Sequence, residues 1–528
     1  MTEGPEAWAP LDTSAPRGWA VPDVLESLAR GIAEVGGRAL VVGGAVRDRL
    51  LGRPGHDLDL EVFGLDEATL GDALGEFGLV GPVGRQFATW RDARSGLDVA
   101  LPRGSHEASG ASLDAAFREA SRHRDLTVDA IGWDPLEGRL LDPWRGIRDL
   151  EQRRLRAVDR TTFGADPLRV LRVARLAASL EAEVDPVLER LCATIDLAAL
   201  PVERVAGELL RMLVGPRAPS RAFRVLSRMG QLEVFAPLPP LRGVPQDPEW
   251  HPEGDVWTHT LLCLDRAAEL GRGLVPEERT VLLLAVLCHD LGKPATTRVE
   301  GGRIRSLGHE GESARRTTEW LEALRLSERR IRAVTALVAH HLAPVLLVAQ
   351  DAGPRAYRRL ARRLAEADVS IVSLERVARA DHWGRTTPDA ADRRFVAGDR
   401  FLAAAEAASV RQGIGRDVVS ARALMRRGVA AGPELGRLLA ALSRDPRTRR
   451  AGPTRSGSSC GSSASRPPTT ARPTARVHLA ARDRPTSRPT PNEGVAAAHG
   501  SDLRASGRRA GTARPRRPVR PPRAGPRT

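Results

Sequence analysis

In "HDLDLEVFG" two carboxylates, Asp57 and Asp59, stand one residue apart. On a β-strand such positions share a face about 7 Å apart. Two carboxylates so placed repel each other unless cations lie between or beside them. Magnesium suits the arrangement, because it is hard, takes oxygen ligands and bridges to phosphates. Asp98, in "GLDVALPR", falls on another strand and can complete the cage. Gly44 lies 13 residues before Asp57, and with Gly43 it lets backbone N–H groups approach a triphosphate unobstructed. Arg47 begins the next helix, where the N-terminal end already favours anions. A surface turn followed by an acidic strand is the plainer alternative. Either feature alone is weak; together at this spacing they favour a metal-held nucleotide.

A second set of ligand-type residues follows. Seven of the twelve histidines fall within residues 251–385. His259, His289, Asp290, His309, His340, His341 and Asp381 recur in apolar helical runs, as in "LLLAVLCHDLGKP". Burying an unpaired His-Asp pair is costly. A cation shared by His and Asp side chains from several helices removes that cost. The four cysteines, Cys192, Cys263, Cys288 and Cys460, show no metal-type spacing and read as reduced, buried thiols.

Elements must position these groups. Residues 22–36 predict a helix, with Val24, Leu25, Leu28, Ile32 and Val35 at helical spacing. "RALVVGG" predicts a buried strand, "AVRDRLLG" a helix and "HDLDLEVFG" an alternating strand. A short helix is expected near 66–77, then a hairpin across "GRQFATWRDARSGLDVALPR". From about 150 the strands are expected to stop and helices to continue. Within the 528 residues no run of eighteen is apolar, and the beginning, "MTEGPEAWAPLD", is acidic rather than basic-then-apolar. A cytoplasmic protein with no membrane partner is therefore expected. The net charge of +15 is concentrated in residues 451–528, which carry 16 arginines against three acids; residues 1–450 carry only +2. Any RNA contact in the folded part must use local arginine patches.

The motifs resemble those of class II tRNA nucleotidyltransferases and bacterial poly(A) polymerases. "GGAVRD", "LLG" and "DLDLEV" are similar to the catalytic head, "RHRDLTVDA" to the ribose-contacting segment, and "LLDPWRGIRDLEQRRLRAV" to the hinge. "GADPLRVLRVARLA" is similar to the base-reading segment and "ERVAGE" to the next neck motif. The resemblance covers about 20–240. It implies that Asp57 and Asp59 hold two magnesium ions, with Asp98 as a further catalytic carboxylate. Gly43, Gly44 and Arg47 would then hold the nucleotide, Arg124 and Asp125 would lie by the ribose, and Asp166 and Arg169, one turn apart on a helix, would read the base. Asp166 can equally serve as an N-cap. Arg172 and Arg175 are expected to be ion-paired, Asp142 and Asp149 to bond backbone turns, and Glu203, Arg204 and Glu208 to form a network. His123, Asp129 and Ala165 replace the usual Arg, Asn and Glu, which leaves open C and A, A alone or C alone as the base choice.

The order His259, His289-Asp290, Asp381 resembles an HD phosphohydrolase domain. That resemblance implies a divalent metal of unspecified identity, with His309 and His341 (favoured over His340) for a second metal or phosphate. Lys293 would support a phosphate, whereas His251 and His382 would be structural. The expected fold is α+β: a small mixed-sheet nucleotidyltransferase head followed by all-helical neck and HD domains. The divisions expected are a head over 20–147, a neck over 148–240, an HD domain over 250–390, a helical extension over 391–444 and a disordered basic tail over 445–528, possible out-of-frame sequence. The function implied is addition of C and A from CTP and ATP to the tRNA 3′ end, with no protein partner. Competing readings are an HD phosphohydrolase with a vestigial head, a non-catalytic RNA-binding protein and a poly(A) or A-adding polymerase.

Overall fold

Leu25, Leu28, Ala29 and Ile32 repeat every three to four residues and are all buried on α1 (Asp23–Glu34). Val24 and Val35, expected on the same face, are instead exposed. The computed structural model describes residues 19, 23–53, 58–83, 89–92, 97–102, 112–411, 413, 424–425, 428–430 and 432–442. These belong to the first of two units, Met1–Gly452. Asp57, Cys460 and the tail expected over 445–528 lie outside the described residues.

Seven strands form one mixed sheet: β1 (Arg38–Val42), β2 (Leu58–Phe63), β3 (Val80–Val83), β4 (Thr89–Asp92), β5 (Leu97–Ala100), β6 (Gly132–Asp134) and β7 (Arg139–Leu141). Their spatial order is β3-β4-β5-β2-β1-β6-β7. Only β2 and β5 run parallel, with Asp59 in register with Asp98. Strand β1 is central and buried on both faces, which explains its unbroken apolar run. On one face Leu40 and Val42 pack with Phe63, Leu141 and Phe117 of α4 (Leu113–Ser121); α2 (Gly44–Leu50) and α3 (Glu67–Glu76) flank the sheet in chain order.

Beyond the sheet the chain is mainly helical, but strands do not stop at 150. Short pairs form between β8 (Arg154–Leu155) and β9 (Glu183–Val184), and between β10 (Arg298–Glu300) and β11 (Arg303–Arg305). Two- and three-residue strands are too short to show a period-2 pattern, so alternation could not reveal them. The helices that carry the site are α5 (Gly146–Glu151), α6 (Arg160–Phe163), α7 (Leu168–Ser179), α8 (Pro186–Ala193), α9 (Val202–Val214) and α10 (Ser220–Arg228). A second layer follows: α11 (Val256–Leu270), α12 (Pro276–Cys288), α13 (Lys293–Thr296), α14 (His309–Ala323), α15 (Glu328–His340), α16 (Ala343–Ala349), α17 (Pro354–Glu366) and α18 (Ile371–Gly384). Helix α12 packs against α9, α11, α15 and α18, so its Val281–Cys288 run is buried on every side. The stretch Glu328–Ala349 has the length and mean hydropathy, 1.7, of a membrane-crossing helix. It is a core element here: Ile331, Val334, Leu337 and Val338 are buried, and His341 interrupts it to face other histidines.

Candidate functional site

The first site forms where β1 ends. Gly43 takes φ 75°, a left-handed conformation in which a side chain would be strained. A Cβ there would also stand 2.7 Å from the Arg124 guanidinium, so glycine is what lets Arg124 lie against the turn. Arg124 donates to Glu61 at 2.6 Å and to the Asp129 carbonyl at 3.3 Å. Glu61 alternates with Asp59 on β2; the acidic series at 57, 59 and 61 was visible in the sequence, yet Glu61 was not singled out. Asp59 is exposed. Its register neighbour Asp98 accepts two bonds from Arg91 across the hairpin, at 2.7 and 2.5 Å.

Arg47 is buried and paired with Asp129 at 2.5 Å and Asp48 at 2.9 Å. Burial opposes its charge, but the two carboxylates outweigh that and raise its pKa. Arg172 also lies 3.6 Å from Asp129. The aspartate at 129 is thus neutralised by two guanidinium groups rather than directed at an anion. Asp125 is buried against Arg172 at 2.5 Å. Burial works against its ionisation, and Arg172 holds it below the usual carboxylate range nonetheless.

Arg169, Arg172 and Arg175 form one stripe of α7, and each has a separate partner. Arg175 meets Glu208 at 2.7 Å, and Arg169 donates to the carbonyls of Thr162 at 2.8 Å and His123 at 2.5 Å. Asp166 does not share a helix with Arg169, because α7 begins at Leu168. It caps that helix through the Leu168 N–H at 3.1 Å and accepts from Arg204 at 2.8 Å. Pro167 explains the difference: its fixed φ starts the helix after the aspartate. Asp142 accepts from the backbone of Gly146 and Ile147 as expected. Asp149 instead bonds side chains, Thr127 at 2.5 Å and Arg156 at 2.8 Å. Glu203 pairs with Arg325 rather than within its own helix, and Glu208 joins Arg175 to Arg211.

The second site gathers ligand-type residues from five helices. His259 (α11) lies 3.0 Å from Asp381 (α18), and His289 lies 3.2 Å from Asp290 just past α12. His309 at the start of α14 is 3.3 Å from Asp290, and its Nε2 is 3.2 Å from Nε2 of His341 after α15. Nδ1 of His289, His309 and His341 is held by the carbonyls of Val286, Ser306 and Val338 at 2.7–2.8 Å. Nδ1 of His259 is held by Glu253 at 2.7 Å. A carbonyl or carboxylate can only accept, so every Nδ1 carries the proton and every Nε2 presents a lone pair. Two such lone pairs facing each other at 3.2 Å require a cation or a proton. His289 Nε2 and Asp290 Oδ1 are buried without a hydrogen-bond partner, and Asp290 Oδ2 has only the ammonium of Lys293 and the His289 ring close by. This donor set fits a divalent metal.

The electrostatics agree. Burial, then His289 and His309, push His341 down to about 3, keeping it neutral. Burial opposes ionisation of Asp290, but His289 and Lys293 hold it well below the usual range. Lys293 pairs with Asp290 at 2.8 Å and with Gln246 at 2.7 Å. His340 is only half-buried and outside the cluster. His251 shares Glu253 at 2.9 Å, while His382 pairs with Asp389 and stacks on Phe395. Sequence reading missed Glu253, whose only sign was an acid six residues before His259. Cys263 is a buried free thiol as expected, yet it lies 3.3 Å from His259 Nε2, one turn away on α11, within reach of the same centre.

Residues 39–156 match the poly A polymerase head domain and residues 256–372 the HD domain. The Multifunctional CCA protein of Halorhodospira halophila is 36% identical over 419 residues, spanning 75% of this chain and 92% of that protein. The protein of the same name from Xylella fastidiosa is 38% identical over 277 residues, 49% of this chain and 64% of the relative. Among solved structures, the CCA-adding enzyme of Thermotoga maritima complexed with tRNA aligns with a TM-score of 0.51 at 18% identity, covering 84% of this chain and 95% of that one. A CCA-adding enzyme with CTP aligns at 0.53, also 18% identical, covering 83% and 93%. At that identity the two solved structures share the fold.

Proposed function

This chain belongs to the multifunctional CCA protein family, and from that membership we propose that it adds C and A from CTP and ATP to the 3′ end of tRNA in the cytoplasm. The observation that carries the reading is Asp59 and Asp98 side by side in register, beside the Gly43 turn, within the matched head. The proposed divisions are a head over 20–147, a neck over 148–240, an HD domain over 250–390 and a helical extension over 391–444.

In the head, Asp57, Asp59 and Asp98 would hold magnesium, which supplies charge stabilisation for the attacking 3′-oxygen and the departing pyrophosphate. Asp98, which accepts from Arg91, would have to give up that partner to hold the metal. Gly43 and Gly44 leave the backbone open to the triphosphate, and Arg124, oriented by Glu61, faces the same turn. Arg47 and Arg172 hold Asp129 and Asp125 in place at the ribose side. Asp166 and Arg169 read the base by exchanging Arg204 and the backbone carbonyls for its edge. The second centre would bind a divalent metal through His259, His289, Asp290 and Asp381, with His309 and His341 beside it, and hydrolyse phosphoesters. The facing Nε2 lone pairs favour that second activity.

The test is a tRNA transcript lacking its terminal CCA, incubated with each labelled nucleotide singly and then together. Growth by C, C and A, lost in Asp59→Ala, is expected. Long A tails, or no incorporation by the wild-type chain, would overturn the reading.

A further inference from the structure

A cleft of about 350 Å³ lies between α5, β8 and α8, and contains none of the residues assigned above to metal, nucleotide or base. Its walls carry Arg145, Arg148, Arg154, Arg156 and Arg160 against Asp149 and Asp185. Two of the arginines are spoken for: Arg154 pairs with Asp185, and Arg156 pairs with Asp149 at 2.7 Å. Arg145, Arg148 and Arg160 are exposed and make no side-chain hydrogen bond or ion pair among the described residues. The cleft therefore carries three uncompensated positive charges. Arg145 is also held at φ 62°, a left-handed conformation that a non-glycine residue rarely adopts.

We propose that this cleft is a phosphate-binding subsite for the sugar–phosphate backbone of the RNA substrate. This rests on the tRNA reading above and goes beyond it by assigning residues remote from the reacting groups. A magnesium–triphosphate would need free carboxylates for its metal, and both acids lining the cleft are already paired. Stacking on a base would need an aromatic side chain, and none lines the cleft among the described residues; the amide that does, Gln152, stands against five guanidinium groups. Guanidinium groups in the open, spread along a segment of sixteen positions, match a chain of single charges instead. The cleft is also tied to the nucleotide side of the head. Asp149 on its floor bonds Thr127, in the segment that follows Arg124 and Asp125. A phosphate held there would seat the RNA against the wall that carries the ribose-side residues.

The experiment measures equilibrium binding of tRNA lacking CCA, and separately of CTP, to the full chain across a salt series. Replacing Arg145, Arg148 and Arg160 together by Ala should weaken RNA binding about tenfold or more at low salt and reduce the slope of log affinity against log salt by about 2–3. CTP binding should not change, and the corresponding triple Lys variant should restore the salt slope. If the triple Ala variant does not fold, Arg148→Glu alone should give the same direction. Wild-type RNA affinity and slope in the variants would overturn the proposal, as would loss of CTP binding with RNA binding intact. A wild-type chain that adds nothing to tRNA would sink the proposed function; one that adds CCA while the variants bind normally would sink only the cleft.

Discussion

Glu253 shows how much of the second centre depends on a residue that would not itself touch a cation. It accepts from His259 Nδ1 and His251 Nδ1, and its other oxygen accepts from the Thr386 backbone at 3.1 Å. That arrangement fixes the His259 tautomer and the orientation of its ring, so that Nε2 faces the centre. Glu253→Gln keeps the size but removes the charge. It should weaken metal binding by about 10- to 100-fold in a titration with zinc or cobalt. Unchanged affinity would mean that packing on α11 alone orients His259.

At the scale of elements, α5 and the Thr127–Asp129 turn meet backbone to backbone at Gly146. A Cβ on Gly146 would overlap the Thr127 carbonyl oxygen and crowd Ile131. Backbone cannot yield as a flexible side-chain end can, so glycine is required by proximity here, not by its torsion angles. Gly146→Ala should cost about 1–3 kcal/mol of stability, as overpacking in a dense interior does. Thermal unfolding would measure it. Because the same contact aligns Thr127 with Asp149, the variant should also raise the KM for nucleotide. A variant as stable as wild type would show that α5 can slide.

Across the whole molecule, the two centres use separate residues on separate elements, with α10 lying between them in the chain. Asp290→Ala should abolish phosphoester hydrolysis and lower bound metal measured by elemental analysis, while CCA addition persists. Asp59→Ala should do the reverse. Removing metal with a chelator should stop both activities, and magnesium alone should restore the first. If Asp290→Ala also ended nucleotide addition in a folded protein, the centres would be coupled through the helices rather than independent.

The order of elements through the head and the identity of the ligating residues were legible in the sequence. Period-2 alternation, glycine turns and helical spacing are local properties, written within a few neighbouring positions. His259, His289, Asp290, His309, His341 and Asp381 could be picked out by type together with the resemblance to an HD domain, which also favoured His341 over His340, and the structure brings those six together. What only tertiary structure decided were the partners: Arg91 on Asp98, Arg47 and Arg172 on Asp129, Arg204 on Asp166, and Glu253 behind His259. Such pairings join residues on different elements, up to 82 positions apart for Arg47 and Asp129. They follow from how apolar faces pack and which charges must then be matched in low dielectric, and no local pattern encodes that. The short strands of 154–155 and 183–184 were hidden for the same reason, since each exists only because the other lies beside it.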